Sequence, residues 1–106
     1  MEGTVEHAGR TFPVDFEGFL TDWTLWCPEW VDLIREQEEL DEITEEHEEV
    51  MGRLRAYFAE HGRPPRVKDT TLVTGYKLKT VYELFPSGPG KGACKMAGLP
   101  KPDGCT

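Results

Sequence analysis

The chain reads as a mainly α protein: helices paired in a helix-turn-helix-like manner, a small N-terminal β-hairpin in front, and a flexible C-terminal arm behind. Three observations predict this. Apolar residues recur at steps of three and four over three separate stretches, the spacing of one helical face. Alternation of period two is confined to the first fifteen residues. From Pro86 onward glycine and proline dominate, a composition of hinges and stiff extended pieces. A chain of 106 residues holds one domain and is too short for two. The expected organisation is a helical unit with its hairpin over residues 1–85 and an arm over residues 86–106.

In the hairpin, Val5 and His7 alternate with charged neighbours, Ala8-Gly9 turns, and Thr11, Phe12 and Val14 return. Two such short strands hold only if they pack on something larger. Trp23, Trp26, Trp30, Leu33 and Ile34 then fall on one stripe, and Pro28 suits a first turn. A helix is therefore expected from about Cys27 to Glu38, with the tryptophans in the core. In the second helix Thr44 is the N-cap candidate, Glu45 and Glu46 complement the positive end, and Gly62 follows the last turn. Its apolar stripe is Val50, Met51, Leu54, Tyr57 and Phe58.

Arg53 and Arg55 lie off that stripe, and Arg63 and Arg66 bracket Pro64-Pro65. This local cationic cluster suits either helix-end charge matching or the holding of an anion or thiolate. Residues 66–76 are mixed: Val67 and Leu72 fit a helix, the threonines prefer extended structure, and Gly75 ends the stretch. Leu78, Val81, Tyr82, Leu84 and Phe85 form the apolar side of a last helix that stops at Pro86. Within the arm only Ala93 to Ala97 has the composition for a helical turn or two, and Met96 and Leu99 can tack it to the domain.

Thirty-eight per cent apolar residues with three tryptophans support a modest core. The formal net charge of −8 comes mostly from one run, Glu36 to Glu49, which reads as a solvated helix face with its flanking loop. That charge argues against general nucleic-acid binding, which needs a basic footprint on phosphates. No apolar run approaches the roughly eighteen residues that cross a bilayer, so no membrane insertion is expected. Met1-Glu2-Gly3-Thr4 lacks the basic and apolar regions of a signal peptide, so a cytoplasmic location is expected.

Three cysteines are an odd number, which argues against a purely structural disulfide framework. Cys105 stands one residue from the C-terminus, with Cys94 eleven residues before it. Chain ends are commonly poorly ordered, so a thiol there reads as exposed and available for exchange. Zinc fits poorly, because Cys94 and Cys105 lack knuckle spacing and His7, His47 and His61 are scattered. A redox-sensing disulfide between Cys94 and Cys105 is one remaining reading. The other is a sulfur carrier, in which Cys105 accepts sulfur as a persulfide in another protein's active site and Cys94 attacks it. Lys91, Lys95 and Lys101 lie nearby and would favour the thiolate.

The run Tyr82-Glu83-Leu84-Phe85-Pro86-Ser87-Gly88-Pro89, followed by Ala93-Cys94-Lys95-Met96-Ala97-Gly98-Leu99-Pro100-Lys101-Pro102 and Gly104-Cys105, resembles the DsrC/TusE family. Gly18-Phe19-Leu20 with Asp22-Trp23, Thr44-Glu45-Glu46-His47, Leu54-Arg55 and Tyr57-Phe58 agree with it. The family includes the gamma subunit of dissimilatory sulfite reductase and a sulfur-relay protein of tRNA thiolation. Its relay branch typically keeps only the penultimate cysteine, so Cys94 together with Cys105 is similar to the sulfite-reductase branch. The chain departs from the family pattern at Glu48, where tryptophan is usual, in Arg66-Val67-Lys68, and at Thr106, where valine is common.

The resemblance implies a compact helical domain whose Cys105 enters the cleft of the sulfite reductase alpha/beta subunits toward the sirohaem. A trisulfide between Cys94 and Cys105 would follow, reduced by a membrane-bound thiol-disulfide reductase complex. It implies a carrier with no cofactor or metal of its own and no independent catalysis. In the alternative, persulfide relay, the partners are sulfurtransferases. A DNA-binding regulator, drawing on the arginines around Gly62 to Arg66, is a third reading, opposed by the net charge. Cys27 matches no motif and is expected to be a half-buried structural thiol.

Overall fold

The computed structural model describes residues 3–104. Strand β1 (Gly3–His7) pairs antiparallel with β2 (Arg10–Val14), Val5 opposite Phe12. The two loop residues, Ala8 and Gly9, both take positive φ (52° and 79°), the backbone hand that matches hairpin twist. Phe12 and Val14 point inward, and Phe12 meets Trp30 edge-on with centroids 5.3 Å apart. A hairpin too short to stand alone is thus held by the helical unit.

Helix α1 (Pro28–Gln37) starts with Cys27 as N-cap and Pro28 in its first turn, close to the expected span. Trp30 and Ile34 face the core, whereas Trp23 and Trp26 precede the helix in and after a short 3-10 turn (Trp23–Leu25) and stay half-buried. Helix α2 (Glu45–His61) runs from the Thr44 N-cap to Gly62, whose φ of 73° is the left-handed end that glycine tolerates. Val50, Met51 and Leu54 are its buried face.

Beyond the buried Pro64-Pro65, a 3-10 turn (Val67–Asp69) leads into α3 (Thr70–Thr74), which packs on α2 across the turn. Threonines favour extended backbone, yet this segment is helical. The Thr74 hydroxyl donates to the Thr70 carbonyl (2.8 Å) and that of Thr70 to Arg66 (3.4 Å), so the β-branched side chains satisfy themselves on the preceding turn. Helix α4 (Leu78–Leu84) buries Val81, with Phe85 just beyond it, but leaves Leu78 and Tyr82 outside.

Beyond Pro86, residues 88–99 pack largely into the domain. Pro89–Cys94 forms a π-helix, and Ala93, Cys94, Met96, Ala97 and Leu99 are each at most 1% exposed. The glycines there allow close approach instead of providing slack. A Cβ on Gly92 would lie 2.8 Å from that of Phe85, and one on Gly88 would lie 2.8 Å from the Tyr82 ring. The radius of gyration, 12.6 Å, matches the roughly 13 Å of a compact chain of this length, with no protruding segment among the described residues. Also among the described residues, no helix is long and apolar enough to cross a membrane.

Candidate functional site: the thiol-bearing C-terminal segment

Cys94 closes the π-helix and is 1% exposed, within the main apolar cluster. Its segment is fixed at both ends. At the start, the Glu38 carboxylate accepts from the Ser87 amide (2.9 Å) and hydroxyl (2.6 Å). At the end, Gly98 adopts φ 76°, with Leu99 N–H donating to the Cys94 carbonyl and Gly98 N–H to that of Lys95. These two bonds are the Schellman closure of a helix.

The Lys95 carbonyl accepts a second bond, and the next two carbonyls are also taken. Trp30 Nε1 donates to Lys95 O (2.8 Å), Trp26 Nε1 to Met96 O (2.9 Å), and Arg55 Nη1 to Ala97 O (3.0 Å). Arg55 also reaches Trp23 O (3.2 Å), and its guanidinium lies over the Trp23 and Trp26 rings at 4.7 and 4.3 Å. Desolvation lowers its pKa from the ordinary arginine value. The tryptophan stripe and the arginine beside it therefore form the cradle of the cysteine segment.

After Leu99 the chain runs back along the surface. Lys101 Nζ pairs with the Glu17 carboxylate at 3.0 Å, and Val67 N–H donates to Asp103 O at 3.2 Å. Gly104 then lines two hollows. One, of about 390 Å³, includes Arg66, Val67 and Lys68; the other, of about 140 Å³, includes Tyr82, Gly90 and Lys91. Cys105, the expected sulfur acceptor, lies outside the described residues, as does Thr106. Its neighbour Gly104 shares the smaller hollow with Gly90, four residues ahead of Cys94 in the same helical segment.

The lysines expected to favour a thiolate are distributed otherwise. Lys95 donates to Glu17 O (2.9 Å) and sits over Phe19, Lys101 holds the Glu17 side chain, and only Lys91 of the three lines a hollow beside Gly104. The arginine cluster also disperses: Arg53 pairs with Glu49, Arg66 with Asp69, and Arg55 enters the cradle. Cys27, expected half-buried, is of intermediate exposure as the α1 N-cap. No cysteine joins a ligand group among the described residues, where His7, Asp32 and Glu36 have ligand atoms within 4.8 Å of one another. Arg35 already stands 3.0 Å from Asp32 and 3.6 Å from Glu36, supplying the positive charge in that cluster.

Sequence reasoning assigned no role to His47. Its ring Nδ1 accepts from Thr44 N–H (3.0 Å), closing a capping box in which histidine replaces the usual Glu or Gln. Nε2 then carries the hydrogen and donates to Leu84 O at 2.6 Å, tying the start of α2 to the end of α4 just before the cysteine segment. The signal was present: a histidine three residues after Thr44.

A helical unit fronted by a hairpin and closed by a cradled cysteine segment defines the class. A family model of DsrC-like proteins matches residues 6–106, and the chain belongs to that family. It is 52% identical over 101 residues to the gamma subunit of dissimilatory-type sulfite reductase of Nitratidesulfovibrio vulgaris (Hildenborough), covering 95% of this chain and 96% of that one. Identity to the sulfurtransferase TusE of Pectobacterium atrosepticum is 35% over 108 residues, covering 95% and 98%. A chain in the crystal structure of dissimilatory sulfite reductase I superposes with a TM-score of 0.87 at 48% identity, covering 98% of this chain and all of that one. The solution structure of DsrC from Allochromatium vinosum superposes at 0.82 with 39% identity over the whole of both chains.

Proposed function

We propose that this chain is a sulfur carrier serving as co-substrate of a dissimilatory sulfite reductase, with Cys105 as acceptor and Cys94 as resolving thiol. The observation that carries the reading is the return of the chain at Gly104 to the helix of Cys94, Gly104 and Gly90 lining one hollow. The 52% identity to a sulfite reductase gamma subunit supplies the partner. In the balanced step, sulfite sulfur gives up its three oxygens as water. The reductase supplies one electron pair, and the two thiols, oxidised as they bond that sulfur, supply the other. The product is a trisulfide. A thiol-disulfide reductase complex then delivers four electrons, releasing sulfide and restoring both thiols. Burial of Cys94 withholds it from oxidants in solution and reserves it for sulfur brought by the chain's own terminus.

The relay reading, supported by the 35% identity to TusE, passes a persulfide from Cys105 to another sulfurtransferase and needs no Cys94. Intact mass spectrometry after turnover with sulfite, reductase and electron donor separates the two. One added sulfur bridging both cysteines and lost on reduction is expected. If Cys94→Ala leaves sulfide release and the sulfur adduct unchanged, the resolving role is wrong.

A further inference from the structure

The charge of this chain is divided unevenly. Residues 1–62 hold four lysines and arginines against seventeen acidic residues, whereas residues 63–106 hold eight against three. A net charge of −8 thus conceals a basic C-terminal part. Three of its cations, Arg66, Lys68 and Lys91, are exposed and line the two hollows that share Val67 and Gly104. Lys95 and Lys101 are committed to Glu17, and Arg66 shares its charge with Asp69; among the described residues Lys68 and Lys91 have no ion-pair partner.

Between these cations the surface is apolar. Leu78 lines the larger hollow and Tyr82, one turn on along α4, lines the smaller, and they are 46% and 50% exposed. They face outward because Val81 and Phe85 occupy the core side of the same short helix. A leucine and a tyrosine one turn apart, framed by cations, is the make-up of a protein-docking patch: an apolar centre with a charged rim.

We infer that this face, Val67, Leu78 and Tyr82 within a rim of Arg66, Lys68 and Lys91, docks a protein that presents an acidic rim around an apolar-lined cleft. The inference rests on the carrier reading and gives its partner surface a chemistry. Gly104, which directly precedes Cys105, lies in the middle of this face, so a protein that takes up the Cys105 thiol has to cover it. The acidic remainder of the molecule, facing an acidic partner, repels every other approach and selects this orientation. Three cations on a chain of net charge −8 are too small a footprint for phosphate-dominated binding, which places nucleic acid second.

The test is association kinetics of the full-length chain with the purified alpha/beta assembly of a dissimilatory sulfite reductase, at low and physiological salt. Reversal at all three positions (Arg66→Glu, Lys68→Glu, Lys91→Glu) is expected to slow association roughly tenfold or more and to flatten its salt dependence. Arg10→Glu, an exposed site on the hairpin turn, is expected to leave the rate unchanged. Leu78→Ser with Tyr82→Ser is expected to act on dissociation instead. All five side chains of the face variants are exposed or half-exposed, so a melting curve suffices to show that the variants fold. If the triple variant associates like the parent while the parent still takes up sulfur, the docking face is elsewhere and the carrier reading stands. If the parent neither associates nor takes up sulfur, the carrier reading falls and this inference with it. Salt-dependent binding of the parent to duplex DNA or tRNA, abolished in the triple variant, would assign the face to nucleic acid and overturn the inference.

Discussion

Replacing Gly98 by alanine distinguishes a docked C-terminal segment from a loose one by the size of its effect. At φ 76° an alanine pays for its Cβ with about 1 kcal/mol of backbone strain. That Cβ would also lie 2.7 Å from Trp26 Cδ1 and 3.1 Å from Trp26 Cβ, so the indole has to move. Moving it breaks the bond from Nε1 to Met96 O, and a part-buried group left unsatisfied costs about 1–3 kcal/mol. The Arg55 guanidinium, 4.3 Å from the same ring, loses a further roughly 0.5–1 kcal/mol. The sum is about 2.5–5 kcal/mol, a fall in Tm of roughly 10–40 °C for a domain of this size. In a mobile tail the same change would leave stability nearly unchanged, because alanine then restricts the folded and the unfolded chain alike. The assay is urea unfolding followed by tryptophan fluorescence, with Gly52→Ala as control. Gly52 is exposed within α2, and a Cβ added there meets nothing within 4 Å, so its replacement should stabilise by about 0.8–1 kcal/mol. A Gly98→Ala protein as stable as the parent would refute the cradle.

His47→Ala should cost about 2–3 kcal/mol in the same assay, from the lost α2 cap and the unsatisfied Leu84 carbonyl. Arg55→Met removes two charged hydrogen bonds in a half-solvated setting and should cost about 2 kcal/mol; in hydrogen exchange the Leu99 amide should lose protection with it. Stability should fall at both pH extremes. His7 and then Arg35 hold the Asp32 carboxyl below its usual 3.8, and Tyr76 and then Arg53 hold Glu49 below 4.5. Their contributions are complete above those usual values and vanish as pH drops through the lower folded ones. Tyr76, raised from 10.0 by donating to Glu49, contributes below pH 10 and loses it as pH climbs through the raised value. Tm measured against pH should show both limbs; Asp32→Asn should flatten the acid one and Tyr76→Phe the alkaline one.

The elements with local punctuation were readable from sequence. Thr44 and Gly62 bound α2 as expected, and Ala8-Gly9 turns the hairpin, because caps and tight turns are decided by a few neighbouring residues. Residues 66–76 resisted because their threonines find helical partners one turn back, information held in side-chain bonds rather than in propensity. Packing was least legible over residues 88–99. Glycine there serves close approach to Phe85, Tyr82 and Trp26, all distant in sequence or across a turn, so nothing local distinguishes it from hinge glycine. A clue did exist, since Ala93, Met96 and Ala97 already have the spacing of a buried helical face. Of the candidate site, position alone singles out the two thiols. The cradle of Trp26, Trp30 and Arg55 was not, because its bonds span forty to seventy positions of chain.

The π-helical stretch Pro89–Cys94 also bears on how this sequence can change over generations. A π turn is an α-helix carrying one surplus residue. The surplus residue is absorbed by looser winding, so deleting one position between Pro89 and Cys94 would restore the regular winding of about 100° per residue and leave the thiol facing much as before. Exposed positions such as Lys91 tolerate exchange of one side chain for another. A single-codon deletion beside it would draw the surplus residue out while keeping the direction of the thiol, so this stretch can lose a residue that a regular helix could not.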